Sequence, residues 1–341
     1  MTEKSYRVAI AGCHRMTIPK LTNHNFAAAF AEVPYTEIVA VFDRGAQTRA
    51  NFVACWGEVP TYDDYGRMLQ EIQPDILCIA TRQTMHADQI EQAAAAGVRG
   101  ILCDKPLATS LAAMDRIVAA CRTHKIPLTF ALDRRWMPPY YQLCDLIEKG
   151  TVGAVTSISA HGLPNLINHG CHWYDTALML VGDPEPIWVS GFVHDVSAEP
   201  PDSRRRLDPA GHAQVGLSNG AILSLLPDGG NRPSFMITGD KGRLMILDDA
   251  REAYLWTAEQ RMSTINLPSP SYDWPAGLAM VADLVGVLEY GGATGCDIEH
   301  ARRATEIGFA IHLSHAQAGR RITLPATERT LTIPSFPWGN E

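Results

Sequence analysis

Apolar and polar residues follow two different rhythms along the chain. In the first third, short runs rich in Val, Ile and Ala are separated by stretches with helical spacing. Apolar runs without polar alternation are typical of parallel strands that are buried on both faces. The predicted strands are Arg7–Ala11, Glu37–Phe42, Asp75–Ala80, Gly100–Cys103 and Ile126–Leu132, and the predicted helices are Phe26–Val33, Ala46–Trp56, Ala87–Ala96 and Leu111–His124. This alternation predicts a doubly wound α/β sheet with right-handed crossovers.

After about residue 150, most of the predicted elements are strands separated by glycine-containing turns, which is typical of an antiparallel sheet. The predicted strands are Gly153–Ala160, Ile187–Val193, His212–Leu217, Ala221–Leu226, Phe235–Thr238, Gly242–Leu247 and Glu252–Trp256, and the predicted helices are Cys171–Leu180, Gly277–Tyr290 and Asp297–Ala318. The polar segment Glu199–Asp208 is predicted to be a mobile loop. We therefore expect an α/β domain at 1–132 and an α+β domain, built on a large and mostly antiparallel sheet, at 133–341.

Composition narrows the function classes. The chain has 341 residues and a formal net charge of −8, without a basic block, so nucleic acid is not an expected partner. It shows no signal segment and no apolar stretch long enough to span a membrane, so we expect a cytoplasmic protein without a membrane partner. The eight cysteines are scattered without a C-x-x-C pair. We interpret them as reduced core thiols and expect no metal site.

The turn after the first predicted strand is a candidate nucleotide-binding loop. A Rossmann fingerprint requires G-x-G-x-x-G there, so that the backbone can approach a pyrophosphate at a helix N-terminus. Only Gly12 is present, because His14 and Thr17 occupy the other two glycine positions. Asp43 ends the second strand, where an acidic side chain can bind an adenosine ribose, and Arg44 follows it. Asp43 favours NAD and Arg44 keeps NADP open, while an ordinary strand-to-helix turn remains the alternative for the loop.

Three further motifs carry a family resemblance. Cys103 is followed by Asp104-Lys105-Pro106, the stretch Ala80–His86 reads A-T-R-Q-T-M-H, and Asn168–Asp175 reads N-H-G-C-H-W-Y-D. In their order and spacing these motifs resemble those of the Gfo/Idh/MocA family, named for glucose–fructose oxidoreductase, inositol dehydrogenase and a rhizopine-catabolism protein. The sequence departs from the family pattern where Asp104 replaces glutamate and where Asn168 replaces aspartate.

The resemblance implies an NAD(P)-dependent oxidoreductase that transfers hydride between nicotinamide and a secondary alcohol of a sugar, cyclitol or related small polyol. It implies Lys105, His172 and Asn168 as catalytic residues. A histidine suits proton removal because its reference pKa is about 6.5, and a lysine ammonium can stabilise developing negative charge on oxygen. The residues expected to bind the cofactor are Gly12, Cys13, His14, Arg15, Met16, Asp43, Arg44, Ala80, Thr81, His86, Asp104 and Lys105. A homodimer or homotetramer is expected from the same resemblance.

Two alternatives stay open. Some members of this fold use bound NAD transiently to cleave glycosidic bonds, with no net change in the cofactor. Others are sensors or scaffolds without catalysis, and the missing glycines together with Asn168 would suit such a degenerate site.

Overall fold

The computed structural model describes residues 5–22, 24–200, 203–227, 232–268 and 275–333. The chain forms two compact units. The first consists of residues 1–108, 113–136 and 275–301, and the second of residues 109–112, 137–274 and 302–341. The units are thus discontinuous in sequence, since residues 275–301 group with the N-terminal third of the chain. The predicted boundary between residues 132 and 133 describes the chain as two continuous domains and stays a prediction.

The first unit contains a six-stranded sheet in which every strand pair is parallel. Its strands are β1 (Tyr6–Ala11), β2 (Thr36–Phe42), β3 (Thr61–Tyr62), β4 (Ile76–Ile79), β5 (Gly100–Cys103) and β6 (Leu128–Phe130). The strand order is β3-β2-β1-β4-β5-β6. This is the doubly wound order, which reverses between β1 and β4, and it confirms the α/β class expected from the apolar runs.

The helices of the described residues are numbered in chain order through both units. They are α1 (Phe26–Glu32), α2 (Ala46–Trp56), α3 (Tyr65–Ile72), α4 (Gln83–Ala95), α5 (Leu111–His124), α6 (Pro138–Glu148), α7 (Gly170–Leu180), α8 (Arg204–Leu207), α9 (Ala276–Tyr290) and α10 (Ile298–Ala316). In the first unit, α9 packs against α1 and β5. The side chain of Asn25 caps α1 by accepting a hydrogen bond from the N–H of Ala28, and Asp64 caps α3 in the same way through Arg67.

The second unit contains a nine-stranded sheet. Its strands are β7 (Val155–His161), β8 (Pro186–Val193), β9 (Gly211–Leu217), β10 (Ile222–Leu226), β11 (Ser234–Gly239), β12 (Gly242–Leu247), β13 (Glu252–Thr257), β14 (Arg261–Ile265) and β15 (Ile322–Thr323). The order is β14-β13-β12-β11-β7-β10-β9-β8-β15. Only the pair β7 and β10 is parallel among these described strands, so the predicted mostly antiparallel sheet is confirmed.

The segment Glu199–Asp208 differs from its prediction. Instead of a loop throughout, it contains the short helix α8, and Asp208 is 2% exposed. The prediction of a mobile loop was therefore wrong for its C-terminal part, because a polar composition does not reveal a carboxylate that is buried by tertiary hydrogen bonds. In the described part of the chain, no helix is both long and apolar enough to cross a membrane.

Candidate active site

Predicted site residues of the first unit meet at the carboxyl edge of its parallel sheet. Gly12 follows β1, Asp43 follows β2, Ala80 follows β4 and Asp104 follows β5. The strand order reverses between β1 and β4, and ligands of open α/β sheets bind outside the carboxyl ends of the strands at such a reversal. The sheet topology therefore brings together residues that are separated by up to 92 positions in the sequence.

Gly12 is required by close backbone packing between β1 and β4. Its φ is +86°, and a Cβ atom built on it would lie 2.6 Å from the carbonyl oxygen of Ala80. Its N–H donates to the carbonyl of Phe42 at 2.8 Å, and the N–H of Ala80 donates to the carbonyl of Ala11 at 2.7 Å. The first glycine of the fingerprint thus turns the chain where three strands end.

The Gly12→Ala variant should be destabilised by about 2–4 kcal/mol, since it combines a left-handed φ with a clash against backbone. Urea unfolding measures this loss. Gly57→Ala is the matched control, because Gly57 has a φ of +91° but no atom within 4 Å of its built Cβ. A loss for Gly12→Ala no larger than that for Gly57→Ala would contradict the close approach.

The loop after Gly12 buries Cys13 and Met16 and exposes His14 and Arg15. The N–H of Met16 donates to the carbonyl of Cys13 at 2.9 Å, which closes a turn. Burial, together with the charge of the neighbouring Asp43, raises the pKa of the Cys13 thiol to about 12. Cys13 is therefore a neutral packing group, while the side chains at positions 14 and 15 face solvent at the sheet edge.

Asp43 holds the backbone around this edge. Its Oδ2 accepts a hydrogen bond from the N–H of Cys13 at 3.1 Å, and its Oδ1 accepts one from the N–H of Gly45 at 2.9 Å. Arg49 donates to the carbonyl of Asp43 at 2.6 Å, and the side chain of Arg44 is exposed. A carboxylate has about four acceptor positions, so Asp43 retains capacity for a sugar hydroxyl.

Asp104 is a buried carboxylate between the loop after β1 and Lys105. It is 2% exposed, forms an ion pair with the guanidinium of Arg15, and its Oδ1 accepts a hydrogen bond from the N–H of Lys105 at 2.9 Å. Burial alone would raise the pKa of Asp104, but the charges of Arg15, His24 and Lys105 outweigh it and lower that pKa below its usual value. Asp104 is thus an anion that links Arg15 to the turn that contains Lys105.

The Arg15→Met variant should lose about 2 kcal/mol of unfolding free energy near pH 7. This is less than for a fully buried pair, because the Arg15 side chain is 43% exposed. A carboxylate whose pKa is lower in the folded than in the unfolded state stabilises the fold at pH values above the unfolded pKa. This stabilisation disappears as the pH falls through the pKa of the folded state. The loss should therefore be full above about pH 4, the usual pKa of an aspartate, and shrink at lower pH. Arg67→Met, which removes an exposed pair with Glu71, is the control and should change little. A loss for Arg15→Met that stays equal from pH 7 to the lowest pH at which the protein remains folded would contradict an ionised Asp104.

His86 lies inside the first unit and is fully buried. Helix α4 begins four residues earlier than predicted and includes His86, because no side-chain cap marks its start at Arg82. The ring nitrogens lie 3.1 Å from the carbonyl oxygen of Leu107 and 3.2 Å from that of Thr81. Burial lowers the pKa of His86, so the ring is neutral and donates to one of these carbonyls. These contacts link the ends of β4 and β5, and cofactor contact by His86 or Thr81 stays a prediction.

The two other predicted catalytic residues belong to the second unit, at the start of α7. Asn168 is 1% exposed and precedes the helix, and His172 lies in its first turn and is 7% exposed. The N–H of His172 donates to the carbonyl of His169 at 2.9 Å. Asn165, which lies outside the predicted motif, accepts a hydrogen bond from the N–H of His169 at 2.7 Å. This segment thus presents Asn168 and His172 from one turn of fixed backbone.

The aromatic residues near these motifs are packing groups. Trp136 is buried and donates from its indole N–H to Asp283 at 3.2 Å. Trp173 donates to the carbonyl of His161 at 2.6 Å, and Tyr174 donates to the carbonyl of Leu166 at 2.9 Å.

The eight cysteines are free thiols. Within the described ranges, no group of three or more His, Cys, Asp or Glu side chains is arranged to hold a metal ion.

Comparisons with known proteins identify the class of the first unit. Residues 6–131 match the Gfo/Idh/MocA family model, described as an oxidoreductase family with an NAD-binding Rossmann fold. D-apiose dehydrogenase of Paraburkholderia graminis is 30% identical over 199 residues, which cover 53% of this chain and 51% of that protein. Trans-1,2-dihydrobenzene-1,2-diol dehydrogenase of Xenopus laevis is 24% identical over 255 residues, or 69% of this chain and 73% of that protein. The chain thus spans about half the length of the first of these relatives.

A solved structure extends the likeness in fold. Levoglucosan dehydrogenase, in a complex with NADH and levoglucosan, matches with a TM-score of 0.79 and 19% identity over 94% of this chain and 100% of that one. At this identity the match shows the fold alone. Together with the family match, it confirms the predicted fold class and the predicted resemblance. Residues 6–131 therefore match the NAD-binding Rossmann domain that this family model describes.

Proposed function

We propose that this protein is an NAD-dependent dehydrogenase that oxidises a secondary alcohol of a sugar, cyclitol or related small polyol. The observation that carries the proposal is the turn after β5, where Lys105 directly follows the buried Asp104 at the carboxyl edge of a domain that matches an NAD-binding family. The names of the relatives, which act on apiose and on a dihydrodiol, support a substrate with neighbouring hydroxyl groups.

The residues at the sheet edge fit a dinucleotide. Gly12 lets the backbone turn tightly at the end of β1, and the partly exposed guanidinium of Arg15 supplies positive charge beside that turn. Asp43 has acceptor capacity for an adenosine ribose and would repel a 2′-phosphate, which favours NAD over NADP. We propose that Cys13, His14 and Met16 complete the pyrophosphate loop and that Ala80, Thr81 and His86 support the nicotinamide side.

Bound NAD⁺ would supply the hydride acceptor, and the proposed chemistry of the chain's own residues is proton handling. Lys105 binds the alcohol oxygen and stabilises the negative charge that develops on it. His172 accepts the hydroxyl proton. Asn168 orients the hydroxyl by hydrogen bonding, since an amide cannot carry the proton or a negative charge. In this proposal the proton is therefore handled by Lys105 and His172 without an aspartate.

Calorimetry with NAD⁺ and NADP⁺, followed by turnover assays on a panel of sugars and cyclitols, tests the proposal. We expect NAD⁺ to bind more tightly than NADP⁺ and at least one polyol to produce NADH in proportion to the alcohol consumed. Cofactor that stays bound through purification, with glycoside cleavage and no net NADH, would instead identify the glycoside-cleaving alternative. Absence of cofactor binding and of turnover would favour a sensor or scaffold.

We further propose a homodimer or homotetramer. Exposed large apolar side chains on β8, β13 and β14 support association, among them Phe192, Trp256 and Met262. Light scattering of the purified protein tests this, and a monomer at all concentrations would contradict it. The cytoplasmic location and the absence of nucleic-acid and membrane partners stay predictions.

A further inference from the structure

Asp208 is a buried residue whose carboxylate accepts hydrogen bonds from backbone N–H groups of the second unit. Its Oδ1 accepts hydrogen bonds from the N–H of Leu166 at 3.2 Å and of Ile167 at 2.9 Å, and its Oδ2 accepts one from the N–H of Asn168 at 2.7 Å. The residue is 2% exposed. Three consecutive N–H groups on one carboxylate form charge-assisted hydrogen bonds, which are shorter and stronger than those between neutral groups.

These contacts determine the backbone directly before α7. Consecutive N–H groups can converge on one acceptor only if the chain is curved around it, so the carboxylate selects one conformation of residues 166–168. The carbonyl of Pro209 also accepts a hydrogen bond from the N–H of Leu166, at 3.0 Å. Residues 208 and 209 therefore both bind this segment. A buried N–H without an acceptor is unfavourable, and the Asp208 carboxylate supplies an acceptor to each of these three groups.

The opposite side of the segment is held as well. Tyr174 donates to the carbonyl of Leu166 at 2.9 Å, and Asn165 accepts from the N–H of His169 at 2.7 Å. The segment is thus fixed from α7 and from its own start, while Asp208 fixes it from a residue 40 positions later in the chain. Asn168 and His172 emerge from the backbone that these contacts define.

We propose that Asp208 is the positioning residue for Asn168 and His172, an inference that rests on the proposed function for their catalytic roles. Asp208 acts through the backbone and does not touch the substrate. Its carboxylate accepts the hydrogen bonds of the N–H groups of residues 166–168 directly before α7. These hydrogen bonds hold the backbone of Asn168 in place.

Asp208→Asn tests this with little change in shape, because an amide offers one acceptor oxygen and turns N–H donors toward the backbone N–H groups. We expect kcat to fall by about a hundredfold, as for a small misplacement of catalytic groups, while the Kd for NADH stays within about twofold. Hydrogen exchange should show faster exchange at residues 166–168. Asp208→Glu keeps both oxygens and should regain at least about tenfold of the lost kcat.

Asp195→Asn is the matched control, since Asp195 is an exposed aspartate of the same unit whose carboxylate accepts from the N–H of Ser197. It should leave kcat and the exchange of residues 166–168 unchanged. If Asp208→Asn does not fold, Asp208→Ser takes its place, because a single short hydroxyl group cannot replace both carboxylate oxygens, and unchanged kcat and exchange in that variant would overturn the proposal. Faster exchange at residues 166–168 without loss of kcat would also overturn it. A wild-type enzyme without turnover on any polyol refutes the proposed function instead, and the exchange measurement still reports whether Asp208 holds the segment.

Discussion

Lys105→Met is expected to lower kcat by about 10²–10³-fold, the range observed when one group that stabilises a developing oxyanion is removed. Methionine keeps much of the length of the side chain but has no charge and no N–H donor. Lys105 directly follows Asp104, whose carboxylate is fixed by Arg15 and by the N–H of Lys105 itself. The backbone at this position is therefore held independently of the ammonium group, so the substitution should remove chemistry and leave the fold intact.

The comparison of kcat with cofactor affinity makes this prediction specific. We expect the Kd for NADH, measured by fluorescence, to rise less than about tenfold while kcat falls further. Lys125→Met is the matched control, because Lys125 is an exposed lysine of the same unit just after α5. If kcat of Lys105→Met equals that of Lys125→Met, Lys105 has no part in catalysis.

His172→Gln is expected to lower kcat by about 10²–10⁴-fold, since general base catalysis contributes in this range. Glutamine retains a hydrogen-bonding amide but cannot accept the alcohol proton at neutral pH. His172 is 7% exposed in the first turn of α7, and its N–H donates to the carbonyl of His169. The backbone contacts of this turn are independent of the imidazole and should survive the substitution.

His194→Gln provides the control for this variant, because His194 is exposed and lies just after β8 in the same unit. Single-turnover kinetics with saturating NAD⁺ and alcohol should show a slower hydride-transfer step only in His172→Gln. An undiminished step in that variant would remove His172 from the proposed chemistry and leave Lys105 as the remaining candidate.

Elements with a strong periodic pattern could be predicted from the sequence. Strand β5 and helices α2 and α5 have the predicted bounds, because their apolar runs are bordered by clear turn residues. The two-residue strand β3 and the largely exposed strand β14 were not predicted, since neither has a buried apolar run. Helix α6 was missed as well, because Pro138 at its first position resembles a loop signal although proline is well tolerated there.

The candidate site could be predicted only as far as it follows short motifs. Gly12, Asp43 and Lys105 each lie at a strand end, so their place at the sheet edge follows from the sheet type. The ion pair of Arg15 with Asp104 joins residues 89 positions apart, and the contact of Asp208 with Asn168 spans 40. No local pattern encodes such pairs, since they depend on how distant segments pack.

The proposed function requires that hydride move from a polyol carbon to NAD⁺. The most direct measurement uses a substrate polyol with deuterium on the carbon that bears the reacting hydroxyl, incubated with NAD⁺ and the wild-type protein, with the NADH isolated and examined by NMR. The account predicts one deuterium at C4 of the nicotinamide ring for each alcohol oxidised, and transfer and ketone formation that are at least about a hundredfold slower in Lys105→Met at the same protein concentration. A polyol that is converted while NADH carries no deuterium, or cofactor that stays oxidised with every polyol, would contradict it.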